Sequence, residues 1–156
     1  MVSISRMLPY DEIVKELNKN DKIAIISCNN CVRYCGAGGL RALDELSSKL
    51  RKDGYAVVDE ILVRKACLEG YINDITVSPD VTTIITLACV AGHAAIKRIY
   101  PKQKVVLATE TLGLGIYDKK RRVVKLIRPF KKYEDLRGTE YELYTGKKLS
   151  QIQIEM

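Results

Sequence analysis

Five cysteines stand at positions 28, 31, 35, 67 and 89, and the first three form a Cys-x2-Cys-x3-Cys run. Thiolates bind soft metals, exchange disulfides or, as neutral thiols, fill a core. An odd count argues against a disulfide framework. The close spacing of Cys28, Cys31 and Cys35 puts three thiolates within reach of one metal centre, and Cys67 and Cys89 supply two more. Iron–sulfur clusters take all-thiolate coordination. Zinc also accepts four cysteines. The pair Cys28 and Cys31 alone suits thiol exchange. A cluster, of the 4Fe–4S type, fits the set best.

Gly36, Gly38 and Gly39 follow the cysteine run and are the candidate cofactor-side residues. They let the backbone approach a bound group, and the helix after them offers free N–H donors. They resemble a phosphate cradle but lack the full Gly-x-Gly-x-x-Gly fingerprint, so their preferred role is to let the metal loop turn. His93, the only histidine, reads as a helix-start surface residue rather than a ligand. Leu112-Gly113-Leu114-Gly115 reads as a structural turn. Glu110 is placed to approach the site, but one carboxylate makes no acid–base pair, and no nucleophile with a base and an orienting acid is evident.

The elements that would position these thiols are legible as alternating runs. Pro9 to Asn20 has an acidic first turn and one apolar face, which predicts a helix. Ile23 to Ile26 is a short apolar run, a buried strand. Leu40, Leu43, Leu46 and Leu50 share a face of a helix over Gly39–Lys52, ended by Asp53-Gly54. Tyr55–Val63, Val81–Leu87 and Lys104–Ala108 read as further strands. Residues 68–78 and a run from Gly92 to Tyr100 read as helices. The alternation predicts an α/β fold: a Rossmann-like, doubly wound parallel sheet of order 2-1-3-4. Cys28, Cys67 and Cys89 then fall beyond the C-terminal ends of strands 1, 2 and 3, on the edge where such sheets bind ligands.

The chain has 156 residues and a formal net charge of +7. Nine basic side chains within 119–137 oppose only Glu134 and Asp135, so the excess is local. Residues 1–118 are expected to form the cysteine-site domain, and 119–156 an extended basic C-terminal tail. Weaker strands are expected at Arg122–Ile127, Tyr141–Tyr144 and Leu149–Ile154. The tail's charge allows an acidic partner, an anionic cofactor or nucleic acid. Phe130 and Tyr133 are its only nearby aromatics and make no evident stacking platform, so nucleic acid ranks below a protein partner. A second copy of the chain, as a homo-oligomer, is also allowed. No apolar run reaches 18 residues and no secretory signal is visible, so no membrane is expected and a cytoplasmic location is.

The stretch Ile23-Ala24-Ile25-Ile26-Ser27-Cys28-Asn29-Asn30-Cys31-Val32-Arg33-Tyr34-Cys35 with Gly38-Gly39, then Cys67, Leu87-Ala88-Cys89-Val90-Ala91-Gly92 and Ala108–Gly115, resembles the MetV-type partner subunit of methylenetetrahydrofolate reductase, the methylenetetrahydrofolate reductase C-terminal domain family. The resemblance covers roughly residues 20–118, and the cysteine pattern is its specific part. It implies an iron–sulfur or zinc protein that pairs with a flavin-dependent methylenetetrahydrofolate reductase, passing electrons to the flavin or holding the complex together. Cys28, Cys31, Cys35, Cys67 and Cys89 match the family's cysteines. Two departures stand out. No cysteine follows Cys89, where the family continues into a second cysteine-rich segment. Val90 also stands where the family tends to have glycine.

Overall fold

The computed structural model describes residues 1–151. Its elements run β1 (Val2–Met7), α1 (Tyr10–Val14), β2 (Lys22–Cys28), α2 (Cys31–Tyr34), α3 (Gly39–Lys52), β3 (Ala56–Val63), α4 (Glu69–Asn73), β4 (Thr83–Leu87), α5 (Val90–Ile99), β5 (Lys104–Leu107), β6 (Thr109–Asp118), β7 (Val123–Pro129), a 3₁₀ segment (Lys131–Leu136), β8 (Thr139–Glu142) and β9 (Lys148–Gln151). The part of the expected Leu149–Ile154 strand beyond Gln151 lies outside the described residues.

The expectation of one doubly wound parallel sheet with an extended tail is overturned, because the strands form two sheets. One is parallel and four-stranded, in the order β3-β2-β4-β5; the other is antiparallel and five-stranded, in the order β1-β6-β7-β8-β9. The second sheet takes in both the N-terminal strand and the basic segment, so strands on either side of residue 118 pair directly. Its existence hinges on pairing Val2 with Gly115 and Met7 with Thr109, which no local pattern announces. The Leu112–Gly115 stretch expected to turn is instead the middle of β6. A Cβ on Gly115 would stand 2.0 Å from the Lys125 carbonyl oxygen and 2.8 Å from Ile4 Cγ1. Glycine here marks close backbone approach within a strand.

The parallel sheet is buried on both faces, which suits its Ile- and Val-rich strands. Ile23, Ile25 and Ile85 pack with Leu43, Leu46 and Leu50 of α3. Ala24, Ile26 and Ile84 pack on the other side with Ile72 of α4 and Ile96 of α5. A third core lies on the antiparallel sheet, where Ile4, Leu112, Val124, Leu126 and Leu143 surround Cys35. The short helix α2 packs on β1 and so stands where the two sheets meet. The first helix is shorter than the expected Pro9–Asn20, with Ile13 as its buried anchor.

Candidate metal centre

Strand β2 delivers Cys28 at its last residue, and the chain turns at once into α2, whose first residue is Cys31. Strand β4 ends at Leu87, and Cys89 is the N-cap of α5. Two contacts from β6 hold this second turn: the Thr109 hydroxyl donates to the Ala88 carbonyl, and the Thr111 hydroxyl accepts the Val90 N–H at 3.1 Å. The antiparallel sheet therefore fixes a loop that the parallel sheet begins.

Cys28 is buried, and its Sγ accepts the Ala66 N–H at 3.4 Å. Burial raises its thiol pKa; the N–H groups of Ala66 and Asn30 oppose that rise, and the neighbouring Cys89 and Cys31 thiols add to it. Cys31 and Cys89 thus each lie close enough to Cys28 to act on its charge. Cys31 and Cys89 are half-buried. Cys67 is exposed, one residue beyond the Ala66 N–H that bonds Cys28.

Cys35 goes elsewhere. It is 4% exposed, and its Sγ donates to the Ser3 carbonyl at 3.7 Å inside the third core. Burial pushes its thiol up to about 12, an interaction with the Ser5 N–H opposes the shift, and nearby Cys31 adds to it. Of the five cysteines, Cys31 and Cys89 each lie near Cys28, Cys67 follows Ala66 at the surface, and Cys35 belongs to the core of the other sheet.

The three glycines pack against the chain itself. A Cβ on Gly36 would meet the Thr145 carbonyl carbon at 2.3 Å, one on Gly38 the Val32 Cγ2 at 2.2 Å, and one on Gly39 the Arg33 Cγ at 2.9 Å. Gly36 also adopts a φ of +71°, a conformation that favours glycine. The hairpin after β8 closes on this loop, with the Tyr144 N–H donating to the Tyr34 carbonyl at 2.9 Å. Gly36 also sits at the end of a groove of about 600 Å³ between Met7, Leu8 and Tyr10 on one side and Ala42 and Leu46 on the other. No cysteine lines that groove.

His93 Nδ1 lies 2.9 Å from the Thr86 hydroxyl rather than against a thiol. Burial and then Lys97 lower its pKa, which favours the neutral ring. Glu110 pairs with Arg6 at 3.0 Å and accepts the Tyr133 hydroxyl. The Arg6 guanidinium holds its carboxyl below the usual range. Sequence reasoning missed an aromatic cluster beside the cysteine loop. Tyr34 stacks on Tyr117, with ring centroids 4.5 Å apart and planes at 11°, and Tyr144 lies 6.1 Å from Tyr34. The available signal was compositional: nine tyrosines, one phenylalanine and no tryptophan.

Among the described residues, no three His, Cys, Asp or Glu side chains stand together as metal ligands. The fit of a metal therefore rests on donor chemistry: an all-thiol set with N–H donors on one sulfur, which is what a thiolate-bound centre uses. Among the same residues, no helix is long and apolar enough to cross a membrane. No protein family, curated protein or solved structure matches the chain.

Proposed function

We propose that this protein is the iron–sulfur accessory subunit of a flavin-dependent methylenetetrahydrofolate reductase, working in the cytoplasm. The observation that carries this reading is the placement of Cys31 and Cys89 near the buried Cys28, where β2 and β4 end. Cys67 is the fourth ligand in this reading, because its loop already reaches Cys28 through Ala66. Cys35 is excluded from the set, since its thiol is engaged with Ser3 and enclosed by the third core.

A bound cluster would supply one-electron chemistry. The chain's own groups do the rest. The Ala66 and Asn30 N–H groups stabilise negative charge on the Cys28 sulfur. The hydroxyls of Thr109 and Thr111 hold the Cys89 turn in place. Zinc would be held by the same thiols and would make the centre structural.

Anaerobic purification with iron, acid-labile sulfide and zinc analysis tests this directly. Iron and sulfide with broad visible absorbance are expected, lost in Cys28→Ser, Cys31→Ser, Cys67→Ser and Cys89→Ser and kept in Cys35→Ser. Iron-free protein under those conditions would sink the reading. Co-expression with a flavin-dependent methylenetetrahydrofolate reductase is expected to yield a complex that co-elutes on gel filtration.

A further inference from the structure

We propose that the tip of the β6–β7 hairpin, with the tyrosine stack behind it, is the docking surface for a small acidic electron-carrier protein. The proposal rests on the reading of the thiol loop as a redox centre.

The tip carries four successive cations, Lys119, Lys120, Arg121 and Arg122, all exposed. It is a built turn: the Asp118 carboxylate accepts the N–H groups of Lys120 and Arg121 at 2.9 and 3.1 Å, and the Arg122 carbonyl accepts the Leu143 N–H at 2.9 Å. Arg121 pairs with Glu140. Lys119, Lys120 and Arg122 form no ion pair among the described residues. Arg33 on α2 adds another cation. Its guanidinium lies 5.0 Å from the Tyr34 ring centre and 5.3 Å from that of Tyr144, and its Nε is buried without a hydrogen-bond partner. A cluster of unneutralised cations on a protein of net charge +7 seeks an anionic partner.

Position says which anion. Tyr117 is 40% exposed, two residues before Lys119, and stacks on Tyr34. Tyr34 ends the four-residue helix that begins at Cys31. The Tyr34–Tyr117 stack therefore links the end of α2, the helix that begins at Cys31, to the surface beside the cations. Tyrosine and arginine are the residues on which protein interfaces concentrate binding energy. Single-stranded nucleic acid fits less well, because it needs free ring faces along a groove. Here one face of Tyr117 is covered by Tyr34, the Lys119 ammonium lies 6.0 Å from the ring centre, and the cations sit at a single turn.

The test is calorimetric titration of the intact protein with a small acidic [2Fe–2S] carrier protein and, in parallel, with a thymidine oligonucleotide. Carrier binding is expected to weaken with salt. Charge reversal of Lys119, Lys120 and Arg122 to Glu is expected to weaken it about tenfold or more. The matched reversal of Lys22, Lys52 and Lys102, exposed at the opposite edge of the parallel sheet, is expected to leave it unchanged. All six side chains are exposed, and circular dichroism verifies that each triple variant folds. Equal weakening by both triples, no carrier binding at all, or tip-dependent binding of the oligonucleotide alone would each overturn the proposal. The titration also reads on metal-free protein. Tip-dependent carrier binding by a protein that never holds iron would overturn the iron–sulfur reading and leave the docking surface standing.

Discussion

The backbone N–H of Ala66 reaches the sulfur of Cys28 at 3.4 Å, across 38 residues of chain. One hydrogen bond thereby ties the end of β2 to the loop that carries Cys67. It gives a buried thiol a donor that favours its charged form, against the burial that disfavours it.

This arrangement orders the reactivity of the metal-free thiols. Exposed Cys67 is expected to be alkylated fastest, half-buried Cys31 and Cys89 next, and buried Cys28 and Cys35 slowest. Peptide mass spectrometry after timed iodoacetamide treatment measures the order. Fast labelling of Cys35 would contradict its place in the third core.

Cys35 also sets an alkaline limit on stability. Its native pKa is raised from 9.0 to about 12, so the neutral thiol is the form the fold favours. That contribution is complete below pH 9.0 and is lost as pH rises toward 12. Urea unfolding at about pH 8 and about pH 11 is expected to show a smaller loss of stability in Cys35→Ala than in the wild type.

Gly36→Ala combines a left-handed backbone conformation with a 2.3 Å approach to the Thr145 carbonyl carbon. A cost of about 2 kcal/mol or more in denaturant unfolding is expected. Gly70, whose added Cβ would meet nothing within 4 Å, is the control: Gly70→Ala is expected to be neutral or mildly stabilising.

The Tyr34–Tyr117 stack makes its own contribution. Tyr117→Phe keeps the ring and is expected to leave stability unchanged, whereas Tyr117→Ala is expected to cost about 1 kcal/mol beyond the area lost. Thermal melts of the two variants separate ring contact from hydroxyl effects. A loss as large in Tyr117→Phe as in Tyr117→Ala would show that the stack is not what matters.

In the core, Ile25 is fully buried between β3, β4 and α3. Ile25→Ala is expected to destabilise by about 2–5 kcal/mol. The same substitution at exposed Ile116 is expected to change stability by less than about 0.5 kcal/mol.

Local order is readable from neighbouring residues alone. Apolar, β-branched runs bounded by turn residues mark segments that become β2, β3, β4 and β5, and the leucine spacing marks α3, because alternation and the 3.6-residue period are written into neighbouring residues. Cys28 and Cys89 are legible as residues at strand ends for the same reason, although β2 runs through Cys28 rather than stopping short of it. Tertiary structure decided the rest. β1 pairs with β6 across more than a hundred residues, and that pairing turns an expected loop and tail into a second sheet. It also settles the fate of Cys35. Three residues of spacing put Cys35 beside Cys31, but the Ser3 carbonyl and the apolar side chains of Ile4 and Leu112, brought in by the antiparallel sheet, draw it into another core. The stack of Tyr34 on Tyr117 has the same origin: its two rings come from a helix and a strand that meet only because the two sheets do.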